Sequence, residues 1–180
     1  MFTRRTGDLP LPFAADSPEG LAARWVRWVA SHGPFANPVA DTTGARAGGN
    51  QPDDVWFLAG TYGGGVERRC TVPAGRPLFF PAFNMWFWPT TEPAPHLHTA
   101  WGTLLVDGAE ADLKEIGTAS FLVAGAFGNG VTRSRKPVPT AVWGLWKQLD
   151  ALPPGPHTVR FSGGDGHGFT VDATYHLDVR

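Results

Sequence analysis

The clearest pattern of apolar and polar positions lies near the end of the chain. From Phe169 to Val179 every second residue is apolar, and polar residues fill the positions between them. A period of two is typical of a β-strand with one buried face and one face in solvent. Shorter runs of the same character, bounded by turn-forming residues, predict further strands over residues 55–59, 66–72, 78–80, 101–106, 120–123, 142–149 and 157–161. Pro77 and Pro81 bracket the third of these runs, so we expect it to be an edge strand or a strand interrupted by a bulge.

A helical pattern precedes these strands. Ser17, Pro18 and Glu19 supply an N-cap, a first-turn proline and an early acid, which together indicate a helix start. The apolar residues that follow recur at helical spacing and form one stripe, which ends before Gly33-Pro34. We expect a second, short helix over residues 109–116. The members of the first stripe are Leu21, Trp25, Trp28 and Val29.

These elements favour a mainly β fold. About eight short strands joined by hairpin-type turns are typical of an antiparallel β-sandwich or a partly closed, jelly-roll-like barrel, here with one N-terminal helix and a short internal helix. A length of 180 residues predicts a single domain over residues 1–180. Residues 1–16 precede the first helix, and we expect them to form an extended or flexible N-terminal arm.

The balance of charges and the lengths of the apolar runs bear on whether the chain binds nucleic acid or a membrane. With 15 Lys plus Arg against 16 Asp plus Glu, the net charge is −1, so the sequence predicts no nucleic-acid partner and no anionic-membrane partner. No run approaches 18 apolar residues, which predicts no membrane span. The first eight residues lack the apolar core of a signal peptide, and as written the chain is expected to be cytoplasmic. The sequence leaves open whether the protein forms a homo-oligomer.

Several short motifs are spread along the chain. They are Asn37-Pro38, Asp41-x-x-Gly44, Gln51, 55–61 (VWFLAGT), Gly63-Gly64, 69–75 (RCTVPAG), 79–84 (FFPxxN), 152–158 (LPPGxHT) and 175–177 (YHL). Through these motifs the chain resembles a largely uncharacterised family of mostly secreted bacterial and archaeal proteins. The resemblance implies a second cysteine near the position of Arg46, which would pair with the one matching Cys70. Here Cys70 is the only cysteine, which favours a reducing interior.

His96 and His98 are the first candidate for chemistry. In an extended segment alternate residues project the same way, so both imidazoles could reach one divalent metal ion. A third ligand could come from Glu92, His167, His176 or an acid in the loop before Val55, none at diagnostic spacing. The alternative interpretation is a proline-rich loop whose histidines face solvent or bond to backbone carbonyls.

The polar face of the last strand is the second candidate. Asp172, His176 and Asp178 share that face, and a carboxylate beside a histidine can raise its pKa and prepare it for general acid or base catalysis. His176 and Asp172 therefore join His96 and His98 as candidate catalytic residues. On a sheet face open to water the same set is ordinary surface.

A cluster of aromatic rings is the third candidate. Trp86, Trp88 and Trp101, with Asn84 beside them in sequence, are the candidate ligand-binding residues. Exposed indoles form a stacking surface for sugars or flat apolar ligands, and enclosed indoles form an apolar cradle. A large aromatic core is the alternative.

Two functional hypotheses follow from these candidates; the sequence favours the first, and the second is the alternative. The first is an intracellular enzyme with an aromatic pocket, which promotes cyclisation, isomerisation or hydration of a hydrophobic or aromatic small molecule through His and carboxylate groups or a divalent metal. It predicts an enclosed cavity that holds those groups. The second is a non-catalytic module that stacks glycans or cell-envelope material on the exposed indoles of Trp86 and Trp88. It predicts a flat aromatic surface and scattered histidines.

Overall fold

The computed structural model describes residues 9–180, which form one helix and ten strands. The mainly β prediction is confirmed. No helix in this part of the chain is long and apolar enough to span a membrane. The elements are α1 (Pro18–Ala30), β1 (Trp56–Phe57), β2 (Gly64–Val72), β3 (Leu78–Phe87), β4 (Trp101–Val106), β5 (Ala109–Glu110), β6 (Lys114–Gly117), β7 (Phe121–Val123), β8 (Val138–Leu149), β9 (Gly155–Gly164) and β10 (Thr170–Val179).

The strands form two open, mixed sheets. The first has the order β1-β3-β8-β6, with β7 paired to β8, and the second has the order β2-β10-β9-β4-β5. Most pairs with a described register are antiparallel, but β1 pairs with β3 and β2 pairs with β10 in parallel. The fold is consistent with a β-sandwich whose sheets are mixed, and these sheets do not close into a barrel.

The described chain divides into two compact units that interleave in sequence. The first unit comprises residues 9–37, Met85–His96 and Ile116–Trp143, and the second comprises Pro38–Asn84, Leu97–Glu115 and Gly144–Arg180. Each unit draws on three stretches of chain, so the division does not separate two consecutive domains. The single-domain expectation stays a prediction.

The second unit contains the sandwich core. Phe80 of β3 stacks on Phe161 of β9 with ring centroids 5.1 Å apart, so the inner faces of the two sheets meet here. Phe161 also stacks on Tyr175 of β10, at 6.1 Å. Burial of this apolar surface is the main source of stability. The buried core residues are Trp56, Leu58, Val72, Leu78, Phe80, Ala82, Leu104, Val159, Phe161, Val171, Ala173, Tyr175, Leu177 and Val179.

The helix lies in the first unit and begins where the sequence predicts. Ser17 is its N-cap, and the Ser17 hydroxyl accepts a hydrogen bond from the Gly20 N–H. The buried Arg27 side chain donates to the carbonyls of Leu9 and Leu122, so it ties the start of the described chain to β7. Residues 9–16 contain no helix or strand, and residues 1–8 of the predicted arm lie outside the described residues.

The predicted internal helix over 109–116 is wrong. Residues 109–110 form β5 and residues 114–117 form β6. Asp107 and Gly108 have φ angles of +50° and +81°, the left-handed conformation that a two-residue hairpin turn requires. This turn pairs Val106 with Ala109 and directs the chain into a hairpin instead of a helix.

The edge position predicted for residues 78–80 is also wrong, because β3 lies between β1 and β8. The backbone carbonyls of Pro77 and Phe79 accept hydrogen bonds from the β1 side. By alternation the backbone of Pro81 faces the same side, but β1 pairs with only the first two residues of β3. A proline is therefore tolerated inside β3, since no partner strand requires its missing N–H.

Candidate functional site

The outer face of the second sheet carries a regular array of polar side chains. Along β10 every second residue from Val171 to Val179 is buried, and the residues between them are half-buried or exposed, as the alternation predicts. The register places Asp172 beside Ser162 of β9 and Ser162 beside Thr103 of β4. Polar groups from three strands therefore form one row across the outer face.

Trp101 stands at one corner of this face. It is the first residue of β4, and 43% of it is exposed. In register it lies opposite Gly164 of β9. A Cβ added to Gly164 would lie 3.1 Å from the indole Nε1 and 2.5 Å from the backbone oxygen of Phe169, so a side chain at that position would be crowded. The glycine thus lets the indole rest on the backbone of the sheet while the indole stays accessible to solvent.

A charged pair links β9 and β10 on the same face, and its Asp172 is two residues along β10 from Thr170, which lies in the row of Trp101. The Arg160 Nη2 lies 3.1 Å from the Asp172 Oδ2, and its Nε lies 3.4 Å from the Oδ1. The hydrogen bond from Arg160 lowers the pKa of Asp172, although burial opposes the shift, and the Ser162 hydroxyl adds to the lowering. Asp172 is therefore an ionised hydrogen-bond acceptor at neutral pH and is poorly suited to act as a general acid.

His176 takes part in a different pair on the same face. Its Nε2 lies 2.6 Å from the Glu67 Oε1 of β2, and both side chains are accessible to solvent. Asp172 and His176 are four residues apart on β10, about 13 Å along an extended strand. The structure therefore does not bring the two candidate catalytic residues of β10 into contact.

An open cleft of about 520 Å³ lies at the other end of this face. Strands β2, β10 and β9 and the turn after β4 contribute to it. It includes His176, but it includes neither His96 nor His98 and none of the candidate tryptophans. The lining residues are Arg69, Cys70, Thr71, Asp107, Pro156, His157, Thr158, His176, Leu177 and Asp178.

His157 forms a fixed edge of the cleft. Its Nδ1 lies 2.7 Å from the Asp107 Oδ2, and its Nε2 lies 2.8 Å from the Pro153 carbonyl oxygen. Both partners accept hydrogen bonds, so both ring nitrogens donate in the imidazolium form. The hydrogen bond to Asp107 is the main cause that raises the pKa of His157, and the same bond holds the pKa of Asp107 low against the effect of burial. His157 is thus a structural histidine with 14% of its side chain exposed.

A buried arginine lies on the inner side of β2. Arg68 is only 1% exposed and donates to the carbonyls of Val39, Asp41, Ala59 and Gly60 and to the Tyr175 hydroxyl, at 2.7–3.1 Å. The guanidinium also lies 5.4 Å from the centre of the Tyr175 ring. This network joins residues 38–60 to β2 and β10, behind the polar face.

Two residues beside Arg68 have raised pKa values. Burial raises the pKa of Tyr175 to about 12, and it raises the pKa of the Cys70 thiol to about 12 as well. Cys70 is therefore protonated at neutral pH, and the protonated thiol is a poor nucleophile.

The long segment before β1 is held by its own polar side chains. The Asp41 carboxylate accepts hydrogen bonds from the backbone N–H groups of Thr43 and Arg46, which lower the pKa of Asp41 against the effect of burial. The Gln51 amide bonds both backbone groups of Phe57, in the manner of a neighbouring strand. At Gly44 φ is +94°, and an added Cβ would collide with the Arg69 carbonyl oxygen. Several residues of the sequence motifs thus stabilise the conformation of this segment.

The histidine pair predicted to bind metal is divided between the two units. The His96 ring packs edge-on against Trp143 in the first unit, with ring centroids 5.3 Å apart, whereas His98 belongs to the second unit. Among residues 9–180 no three His, Cys, Asp or Glu side chains come together as a metal site. A metal bound by this pair stays a prediction, which the metal content of protein purified without a chelator tests.

The remaining candidate ligand-binding residues differ in environment. Trp86 is half-buried and packs against Trp25 of α1 at 6.3 Å, while Trp88 is 41% exposed; all three belong to the first unit. Asn84 belongs to the second unit, and its buried Nδ2 has no hydrogen-bond partner among the described residues. The rings singled out in the sequence therefore form no single cluster within either unit.

Sequence reasoning missed three arginines that shape this region. Arg68 falls on the apolar side of its strand, between Val66 and Cys70, and an arginine at such a position signals a buried polar network. Arg69 and Arg160 carry no comparable signal, because their roles depend on which strands lie next to them.

Comparisons with known proteins assign no family to this chain. No protein-family model matches the chain, and no curated protein matches it. A solution structure of amebosin aligns with 64% of this chain and 96% of its own, at 12% identity and a TM-score of 0.24. A TM-score of that size does not indicate a shared fold.

Proposed function

We propose that this protein is a non-catalytic glycan-binding module, and that glycans bind to the outer face of the β2-β10-β9-β4 sheet. The observation that carries the proposal is Trp101, an accessible indole resting on the Gly164 backbone at a corner of a polar sheet face. A sugar ring has one apolar face and a rim of hydroxyls. It needs an aromatic platform with hydrogen-bonding groups beside it.

Polar groups on the same sheet face, in the rows that follow Trp101 along the strands, meet the second requirement. Arg160 offers donors and the ionised Asp172 offers acceptors, and the two hold each other in place through a paired contact. Thr103 and Ser162 add hydroxyls in the same row. Because these side chains are fixed by strand register and by mutual hydrogen bonds, little conformational entropy is lost when a sugar binds.

The enzyme hypothesis has less geometric support. It requires His96, His98 or His176 to move protons or to hold a metal inside an aromatic cavity. Within the described residues His176 is paired with Glu67 on an open face, and Asp172 is paired with Arg160. Catalysis on a hydrophobic or aromatic small molecule stays a prediction, and the binding module is the function that this arrangement favours.

Affinity electrophoresis tests the proposal. Native gels are cast with a panel of soluble polysaccharides: xylan, galactomannan, laminarin, hydroxyethylcellulose, alginate and polygalacturonate. We expect at least one to retard the wild-type protein, and Trp101→Ala to weaken that binding by roughly tenfold or more, as for an aromatic residue that carries much of the binding energy. Trp101→Phe keeps an aromatic face and should retain part of the affinity.

Trp88→Ala removes an indole of nearly equal exposure from the first unit, and it separates this site from the one that the sequence hypothesis places on Trp86 and Trp88. If Trp101 is the platform, Trp88→Ala migrates as the wild type does in every gel, whereas the sequence hypothesis predicts weaker retardation. The proposal is wrong if no polysaccharide retards the wild type, or if Trp101→Ala is retarded as strongly as the wild type. Urea denaturation of each variant establishes that a loss of binding does not reflect a loss of folding.

A further inference from the structure

The cleft beside Arg69 indicates that the ligand carries negative charge. We infer that Arg69 forms an anion subsite on the same sheet face as Trp101, and that the glycan bound there is acidic, with uronate carboxylates. This inference rests on the proposed glycan-binding function and specifies the class of glycan. It is carried by the pairing of charges around the cleft, its volume and its position relative to Trp101.

The carboxylates around the cleft already have cationic partners. The Asp107 Oδ2 lies 2.7 Å from the His157 Nδ1, and the Asp178 Oδ2 lies 3.4 Å from the Arg180 Nε. Glu67, next to the cleft, is paired with His176.

Arg69 lacks such a partner. Within residues 9–180 its guanidinium forms no ion pair and no side-chain hydrogen bond, although its backbone N–H donates to the Thr43 carbonyl. Arg69 is exposed and lines the cleft. One cation therefore remains available to an incoming anion.

The surroundings of Arg69 suit a sugar that carries a carboxylate. A guanidinium can bind a carboxylate through two parallel hydrogen bonds, which fixes the orientation of the ligand. The hydroxyls of Thr71 and Thr158 line the same cleft and can bond to sugar hydroxyls. A volume of about 520 Å³ lies in the range of ordinary small-molecule sites.

The distance to Trp101 indicates a chain of sugars. Thr170 lies in the same row as Trp101, and His176 lies beside Arg69 in the register of β10 with β2. Six residues along β10 and three strand spacings separate the two positions, a diagonal of roughly 25 Å. A single sugar cannot reach both, but an oligosaccharide lying across the outer face can contact Trp101 and present a carboxylate to Arg69.

The test compares acidic polymers with the same polymers after methyl esterification, which removes the negative charge of the carboxylates. Polygalacturonate, alginate and hyaluronan are each used as the free acid and as the methyl ester, and dissociation constants are measured by affinity electrophoresis at low and high salt. We expect the wild type to bind at least one free acid more tightly than its ester. Arg69→Gln should weaken binding to the acid by roughly tenfold, the loss expected for a charged hydrogen bond, and leave binding to the ester unchanged.

Arg135→Gln is the matched control, because Arg135 is an exposed arginine of the first unit and lies outside the cleft. It should bind both forms as the wild type does. Dextran sulfate, tested alongside, separates carboxylate from sulfate: a preference for the sulfated polymer that Arg69→Gln removes would overturn the assignment to uronates.

The remaining outcomes separate the two proposals. Loss of binding in Trp101→Ala, with Arg69→Gln indistinguishable from wild type on acids and esters, overturns the anion subsite and leaves the glycan-binding function standing. No retardation of the wild type by any acid overturns the inference, whatever the neutral polymers do. Failure of Trp101→Ala to weaken any interaction overturns the glycan platform itself.

Discussion

Replacing Arg68 by methionine should destabilise the second unit strongly. Methionine fills much of the same space without a charge, so the substitution isolates the guanidinium. The side chain is 1% exposed and supplies hydrogen bonds to four backbone carbonyls and to the Tyr175 hydroxyl. Those acceptors would stay buried after the substitution, and water could not easily replace the lost donors.

The size of the effect follows from these contacts. Leaving a buried acceptor without its donor costs about 1–3 kcal/mol, and Arg68 serves four carbonyls and one hydroxyl, all of them uncharged. Removal of the buried charge offsets part of this loss, so we expect Arg68→Met to lower the free energy of unfolding by about 4 kcal/mol, a large share of the roughly 5–15 kcal/mol typical of a domain. Tyr175→Phe removes only the hydroxyl that Arg68 and Ala59 share, so it should cost about 1–2 kcal/mol.

Urea denaturation followed by tryptophan fluorescence measures both values. Arg69→Met is the control, since it makes the same substitution at the next residue, which is exposed, and should change stability by less than about 0.5 kcal/mol. Limited trypsin digestion adds a local readout: Arg46 lies in the segment that Arg68 anchors, and cleavage there should be faster in Arg68→Met. A loss below about 1 kcal/mol, with unchanged cleavage, would refute the structural role of this network.

Two further predictions concern the backbone and pH. Gly44→Ala should destabilise the protein by roughly 3 kcal/mol, because φ is +94° and an added Cβ would collide with a carbonyl of β2. Gly75→Ala, where φ is +78° but the space is open, should cost only about 1–2 kcal/mol. Urea denaturation midpoints compare the two variants, and equal losses would contradict the steric argument. Asp107 raises the pKa of His157, so their pairing stabilises the fold below the ordinary histidine pKa and is lost as pH rises through the raised value. His157→Gln should therefore lose more stability at pH 6 than at pH 9. The difference should be at most about 1 kcal/mol, because 48% of the Asp107 side chain is exposed and solvent screens the pair. A larger loss at pH 9 would show the opposite linkage.

The elements that were predicted correctly are those specified by local pattern. Ser17 and the following proline mark the helix start because capping depends on neighbouring residues alone. The alternation in β10 identifies its buried and polar faces because period two follows from strand geometry. Neither inference needs knowledge of what lies across the sheet.

The errors and omissions arise where tertiary contacts decide. Residues 109–116 have helical composition, but the Asp107-Gly108 turn begins a hairpin, and that turn signal outweighs local propensity. The availability of Arg69 depends on the partners that its neighbours find across β10 and β9, which no spacing in the sequence encodes. The aromatic candidates were grouped by proximity in sequence, whereas the structure assigns Trp88 and Trp101 to different units.

The most direct test of the glycan platform observes the tryptophan itself. Protein labelled with ¹⁵N on its eight indoles is titrated, in two-dimensional NMR, with oligosaccharides prepared from the polysaccharide that retards it most. The Trp101 signal is identified by its loss in Trp101→Phe. We expect this signal to shift progressively with added ligand while those of the buried Trp25 and Trp146 stay in place. A stationary Trp101 signal, with shifts at another indole, would contradict the proposed site.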